Sequence, residues 1–217
     1  MSSRRGVLFD VDGTLVDSSY VHTLCWWQAF RQHDTDVPMA LLHRAIGMGA
    51  DKLVAQVSPA SVEQADELAA SHDALYAAYW PGLRPLPGAR EVLQHCHDAG
   101  LITVLASSAA EREMQALLAV LDAEASIDHV THADDAEASK PAPDIVSVAL
   151  DKAGLAADEA IFVGDAVWDV HACSAAGLAC IGLESGGTSA AELRAAGAVA
   201  VYSDAAELLL HIEEHLT

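Results

Sequence analysis

Lysine and arginine are scarce in this chain: 11 residues against 32 aspartates and glutamates in 217, a formal net charge of -21. A surface of that sign repels nucleic acid and anionic membrane, so neither is expected as a partner. Long apolar runs are missing too. Nothing approaches the roughly eighteen consecutive apolar residues of a membrane span. The opening Met1-Ser2-Ser3-Arg4-Arg5-Gly6 runs straight into strand-like sequence, without the apolar region and cleavage site of a signal peptide. Cysteine is limited to Cys25, Cys96, Cys173 and Cys180, with no C-x-x-C pairing, which suits free thiols in a reducing compartment. A cytoplasmic protein is expected. Repeats and low-complexity tracts are lacking, and nothing implies a protein partner. What remains is a chain that is 52% hydrophobic, enough to bury the core of one domain with a small insert.

Short runs rich in Val, Ile and Leu alternate with helical patterns. "GVLFDV", "LITVLAS", "IDHVTHA", "AIFVGD", "LACIGL" and "AVAVYS" read as six strands bounded by Gly, Asp or Ser. The segments "AEREMQALLAVLD", "APDIVSVALDKAG", "AVWDVHACSAAG", "SAAELRAAG" and "DAAELLLHIEEHL" read as helices, several stopping at a glycine. Continuously apolar strands separated by helices predict an α/β fold: a Rossmann-like parallel sheet covered on both faces. The rhythm breaks once. From Ser18 to Pro85 the sequence is helical with polar breaks, and "WPGLRPLPGA" then leads back to the sheet. The expected organisation is a core of residues 1–17 and 86–217 with a helical cap, residues 18–85, inserted after the first strand.

Ligands of an open parallel sheet bind outside the carboxyl ends of its strands. The polar punctuation falls there. Asp10 and Asp12 follow the first strand and Ser107 and Ser108 the second. Lys140 sits in the loop after the third, and Asp165 and Asp169 follow the fourth. Three or four crowded carboxylates cannot all stay ionised without a cation. Hard oxygens suit Mg²⁺, which leaves room for phosphate. With Lys140 and Ser107 as partners for phosphate oxygens, the set suits phosphoryl transfer, Asp10 attacking phosphorus and Asp12 moving a proton. Ser107 and Ser108 would equally cap the next helix, and Asp169 would equally serve that helix's first turn. In the insert, Gly47 and Gly49 of "IGMGADKL" would let a loop approach the site closely, with Lys52 either meeting substrate or lying at the surface. Trp26, Trp27, Tyr76, Tyr79 and Trp80 are expected to pack the insert's helices. His95 and His97 flank Cys96 in a helical pattern, where i and i+2 side chains point apart, so no zinc site is expected.

These residues resemble a family. "DVDGT", "LASS", "SKPAPD" and "VGDAVWD" look like the four motifs of the haloacid dehalogenase-like hydrolases, in order and over nearly the whole chain. The nearest subgroup in appearance is that of β-phosphoglucomutase and phosphoglycolate phosphatase. The insert is similar to that subgroup's helical C1 cap, and "GGTSAAELRAAGA" resembles a further stretch common there. The resemblance implies that Asp10 forms an aspartyl-phosphate and binds Mg²⁺. It implies that Asp12 protonates the leaving group, activates water and lends its backbone carbonyl to the metal. Ser107 and Lys140 would hold the phosphoryl oxygens, Asp165 would ligate the metal, and Asp169 would stand in or just behind the metal shell. A Mg²⁺-dependent phosphatase of small phosphorylated metabolites is expected. A sugar phosphomutase is the alternative, and a phosphorylation-dependent signalling module the remote one, disfavoured by the D-x-D-G-T element and the insert.

Overall fold

The structure, a computed structural model, describes residues 4–216; Met1–Ser3 and Thr217, which the expected core includes, lie outside it. The strands are β1 (Gly6–Phe9), β2 (Ile102–Ala106), β3 (His129–Thr131), β4 (Ala160–Gly164), β5 (Cys180–Leu183) and β6 (Ala200–Tyr202). All pairings are parallel, in the order β3-β2-β1-β4-β5-β6. The α/β expectation holds, and each strand falls within the run that predicted it.

Buried strands need apolar side chains on both faces, and the period of two divides them. Phe9, Leu105 and Val163 stand in register and point to one face; Leu8, Val104 and Phe162 point to the other. The described residues also form ten α-helices. Four follow β1: α1 (Ser19–Gln32), α2 (Met39–Ala45), α3 (Ala50–Val57) and α4 (Val62–Ala77). The others are α5 (Ala89–Asp98), α6 (Glu111–Leu121), α7 (Asp144–Ala153), α8 (Val167–Ala176), α9 (Ala190–Ala196) and α10 (Ala205–His211). Helices α5, α6 and α10 cover the Phe9 face, through Leu93, Leu117 and Leu208. Helices α7, α8 and α9 cover the Leu8 face, through Ile145, Val170 and Leu193. No described helix is long and apolar enough to cross a membrane, and all four cysteines are buried and free.

Helices α1 to α4 bury a cluster of their own, built on Trp26, Phe30, Leu42, Leu53, Val54 and Leu68. Ser61 and Gln64 form a capping box that starts α4 and satisfies two donors that helix ends leave unpaired. The two chain crossings between these helices and the sheet run side by side. Asp17 N–H donates to the Arg84 carbonyl (3.0 Å) and Leu86 N–H to the Leu15 carbonyl (2.8 Å). The aromatic residues divide. Trp26 packs among the four helices as expected, whereas Tyr76 joins the sheet's core and Tyr79 is exposed.

Candidate active site

Order 3-2-1-4-5-6 reverses direction beside β1, and a crevice opens there at the carboxyl ends of the strands. Asp10 is still in the ladder, its N–H on the Val163 carbonyl at 2.9 Å. The chain then turns sharply: Leu15 and Val16 both donate to the Val11 carbonyl (2.9 Å each), and Gly13 donates to Val16 (2.8 Å). Gly13 has φ +80°, and a Cβ there would strike Ser19 Oγ and the Asp165 carboxylate, so only glycine fits. This turn sends the two aspartates of D-x-D to different partners.

Asp10 joins Asp165 and Asp169, with carboxylate oxygens of all three within 4.8 Å of one another. All three are buried. Lys140 lies among them with no side-chain exposure, its Nζ 2.6 Å from Asp10 Oδ1 and 2.7 Å from Asp169 Oδ1. The ammonium is also 3.3 Å from the Ala106 carbonyl. Thr14 Oγ1 stands 3.4 Å from Asp10 Oδ2 and 3.2 Å from Asp165 Oδ1. Asp169 Oδ2 accepts from Ala166 N–H at 3.0 Å, which fixes the first turn of α8, so the residue serves both the turn and the acidic group. One ammonium cannot balance three carboxylates. Burial raises Asp10 to about 7, against the pull of Lys140 and with a push from Asp169. Burial likewise raises Asp165 well above the usual carboxylate range, and Asp10 and Asp169 add to it. Lys140 is driven up against its own burial, by Asp10 and Asp169. Three buried oxygen donors short of positive charge suit a hard cation such as Mg²⁺.

The buried ammonium yields a first prediction. Lys140→Met should lower stability in metal-free buffer by about 3–5 kcal/mol, because it strands buried carboxylates. Denaturant unfolding measures this. Added Mg²⁺ should return part of the loss, and unchanged stability would mean that the carboxylates are neutral without Lys140.

Asp12 faces the other way. Its Oδ1 accepts from Ser18 Oγ at 2.6 Å and lies 3.2 Å from His22 Nε2 and 3.4 Å from the Tyr76 hydroxyl. Burial opposes its ionisation, but the charge and hydrogen bond of His22, with Ser18, outweigh burial and hold it below the usual range. His22 is correspondingly raised: burial opposes the charged ring, and Asp12 and Glu113 overcome it. Burial pushes His72 down to about 4. The two rings then assign their own protons. Charged His22 donates from Nε2 to Asp12 and from Nδ1 to His72 Nε2 (3.1 Å), and neutral His72 donates from Nδ1 to Asp73 (3.0 Å). Glu113, in the first turn of α6, has Oε1 at 3.4 Å from His22 Nε2. That oxygen is closed to solvent and takes no hydrogen bond. Burial raises Glu113 to about 8.

Above these groups lies a cavity of about 510 Å³, between the β1 and β2 loops and the helices that follow β1. Asp10 and Asp12 reach it; Asp165, Asp169 and Lys140 do not, and stand behind Asp10. Ser107 and Ser108 line it. Ser107 Oγ accepts from Ala109 N–H at 3.0 Å, which caps the turn and leaves the hydroxyl hydrogen free, while Ser108 Oγ is buried without a partner. Gly47 and Gly49 line the far side; at Gly47 the backbone has φ +94° and a Cβ would meet Ala166. Lys52 does not reach the cavity. It is the exposed neighbour on α3, with its ammonium 3.3 Å from Asp51. A helix that turns Leu53 and Val54 inward must turn Lys52 out.

His22, His72, Tyr76 and Glu113 escape a reading of the sequence. They come from α1, α4 and α6, at no motif spacing, and the first three look like ordinary polar or aromatic residues of amphipathic helices. Glu113 looks like a first-turn dipole partner. Only packing joins them to Asp12.

The haloacid dehalogenase-like hydrolase family model matches residues 5–177. A crystal structure of a hydrolase from Pseudomonas syringae is similar at 32% identity and TM-score 0.95, over 99% of this chain and 100% of that one. Phosphoglycolate phosphatase of Rhodospirillum rubrum is 32% identical over 94% of this chain and 89% of its own length. Validoxylamine A 7'-phosphate phosphatase of Streptomyces hygroscopicus subsp. limoneus is 30% identical over 81% of this chain and 84% of its own.

Proposed function

Since the chain belongs to the haloacid dehalogenase-like hydrolases, we propose that it is a Mg²⁺-dependent phosphatase of small phosphorylated metabolites that works through an aspartyl-phosphate. The observation that carries this reading is the split of the two aspartates. Asp10 sits beside a lysine and two further carboxylates, while Asp12, two residues on, is held ready by a protonated histidine. Helices α1 to α4 serve as the cap over the reacting groups.

An oxygen of Asp10 attacks phosphorus and the bond to the ester oxygen breaks. The departing alkoxide takes a proton through Asp12, which His22 Nε2 supplies from 3.2 Å. Asp12 then accepts a proton from water and returns it to His22 as the water attacks the phosphoryl group on Asp10, releasing phosphate and restoring the free Asp10 carboxylate. Two displacements through a covalent intermediate replace one difficult step. Asp10, Asp165 and the Asp12 backbone carbonyl would hold the metal, with Asp169 beside them. When bound, the cation neutralises charge on the phosphoryl oxygens and on the crowded carboxylates. Lys140 stabilises Asp10 for attack, and the Ser107 hydroxyl donates to a phosphoryl oxygen.

A mutase would need a second phosphate site in the cap. No lysine or arginine lines the cavity among the described residues, and neither Arg44 nor Lys52 reaches it. That favours a single-phosphate substrate with water as acceptor. Purified protein should release phosphate from several monophosphates, lose that activity to exhaustive chelation and recover it with Mg²⁺. With β-glucose 1-phosphate and a trace of the 1,6-bisphosphate, glucose 6-phosphate formation outpacing phosphate release would establish a mutase instead. Activity that survives chelation would remove the metal from the reading.

A further inference from the structure

The cavity extends well past the reacting groups. Its lining includes Leu53 and Val54 from α3, Ala65 and Ala69 from α4, and Trp26 and Met48. Ala65, Ala69 and His72 stand at i, i+4 and i+7, on one face of α4. His72 is the near end of that face, 3.1 Å from His22, which lies 3.2 Å from Asp12. At a rise of about 1.5 Å per residue, the wall from His72 to Ala65 is about 10 Å long. Alanine at two successive turns of α4 keeps this space open. An apolar cavity of roughly 150 Å³ already takes a benzene ring. This one measures about 510 Å³, so a phosphoryl group with a two-carbon alcohol would leave most of it unfilled.

The same lining offers no partner to an anionic alcohol. No lysine or arginine reaches the cavity among the described residues, and apart from His22 and His72 its ionisable side chains are carboxylates. The two imidazoles have no N–H to spare. His22 donates to Asp12 and His72, and His72 donates to Asp73. A cation would have to leave water for the buried faces of Trp26, Leu53 and Val54. We propose that the part of the cavity between α3 and α4 binds the leaving alcohol, and that the preferred substrates are phosphomonoesters of uncharged, apolar alcohols long enough to reach Ala65. This rests on the phosphatase reading above. With phosphorus at Asp10, the apolar body of the alcohol would lie between the two helices and bury surface that a short ester leaves wet.

Ethyl phosphate and 3-phenylpropyl phosphate test this, because both release a primary alcohol and differ in apolar reach; 2-phosphoglycolate is the acidic comparison. For 3-phenylpropyl phosphate, kcat/KM should exceed that for ethyl phosphate by about tenfold or more, with the difference in KM, and 2-phosphoglycolate should fall below both. Ala69→Leu fills the space with a residue that still favours the helix, and it should shrink the phenylpropyl-to-ethyl ratio by about tenfold. If that variant fails to fold, Ala65→Leu, one turn farther out, should shrink the ratio in the same direction. Binding of free 3-phenylpropanol, followed by tryptophan fluorescence, reads the cavity without the chemistry, and the wild type should bind it more tightly than Ala69→Leu does. Equal kcat/KM for the ethyl and phenylpropyl esters overturns the proposal. So does turnover of 2-phosphoglycolate that matches the phenylpropyl ester, or a ratio untouched by the substitutions in folded protein. If every ester is inert while 3-phenylpropanol still binds the wild type better than Ala69→Leu, the phosphatase reading fails and the apolar site stands.

Discussion

Asp10→Asn should reduce phosphate release to background, a loss on the order of 10⁵–10⁶-fold, the scale seen when a covalent nucleophile is removed. The substitution is nearly isosteric, and Asp10 is buried beside Lys140 at 2.6 Å, so an amide oxygen can still accept from the ammonium. The fold should survive. What the amide cannot do is present a negatively charged oxygen to phosphorus. The neutral side chain also relieves crowding with Asp165 and Asp169, so metal-free stability should hold or rise while activity vanishes. Release of phosphate from p-nitrophenyl phosphate and denaturant unfolding, measured on one preparation, separate the two effects. Residual activity above a few per cent of wild type, with contamination excluded, would take the nucleophile role away from Asp10.

Asp12→Ala should cost about 10²–10⁴-fold in kcat, the usual worth of general acid-base catalysis. It should do so with little change in the Mg²⁺ concentration needed for half-maximal activity. The side chain of Asp12 groups with His22 and Glu113, apart from Asp10, Asp165 and Asp169, so its removal leaves the metal's carboxylates in place. Substrates with poor leaving groups should suffer most, since an aryl oxide needs its proton less than an alkoxide does. A loss under tenfold on an alkyl phosphate would demote Asp12 to a turn residue. A large rise in the Mg²⁺ requirement would instead make its carboxylate part of the metal site.

Much of the architecture was decided locally. Val7, Leu8 and Phe9 are apolar on both faces of the strand and can be stable only between two layers of helices, which forces a parallel sheet with crossovers. Carboxylates at strand ends then share one edge, because all strands of such a sheet run the same way. That is why Asp10, Lys140, Asp165 and Asp169 could be grouped from their positions, and why the long helical stretch after β1 stood out against the rhythm. Lys52 could not be resolved in that way. Whether it reached the site depended on which face α3 buried, and Leu53 and Val54 claimed the inward one.

Tertiary packing alone decided the surroundings of Asp12. His22, His72, Tyr76 and Glu113 are far apart in sequence, and each is unremarkable in its own helix. Their meeting depends on how α1 and α4 cross above the sheet and where α6 begins. The same packing closed solvent away from Glu113 Oε1 and left the cavity with His22 and His72 but with no lysine or arginine among the described residues. Composition had indicated a shortage of positive charge in the chain as a whole. Where that shortage bears on a ligand is a matter of which few side chains the fold turns inward, and side-chain direction is fixed by contacts between elements, not by order along the chain.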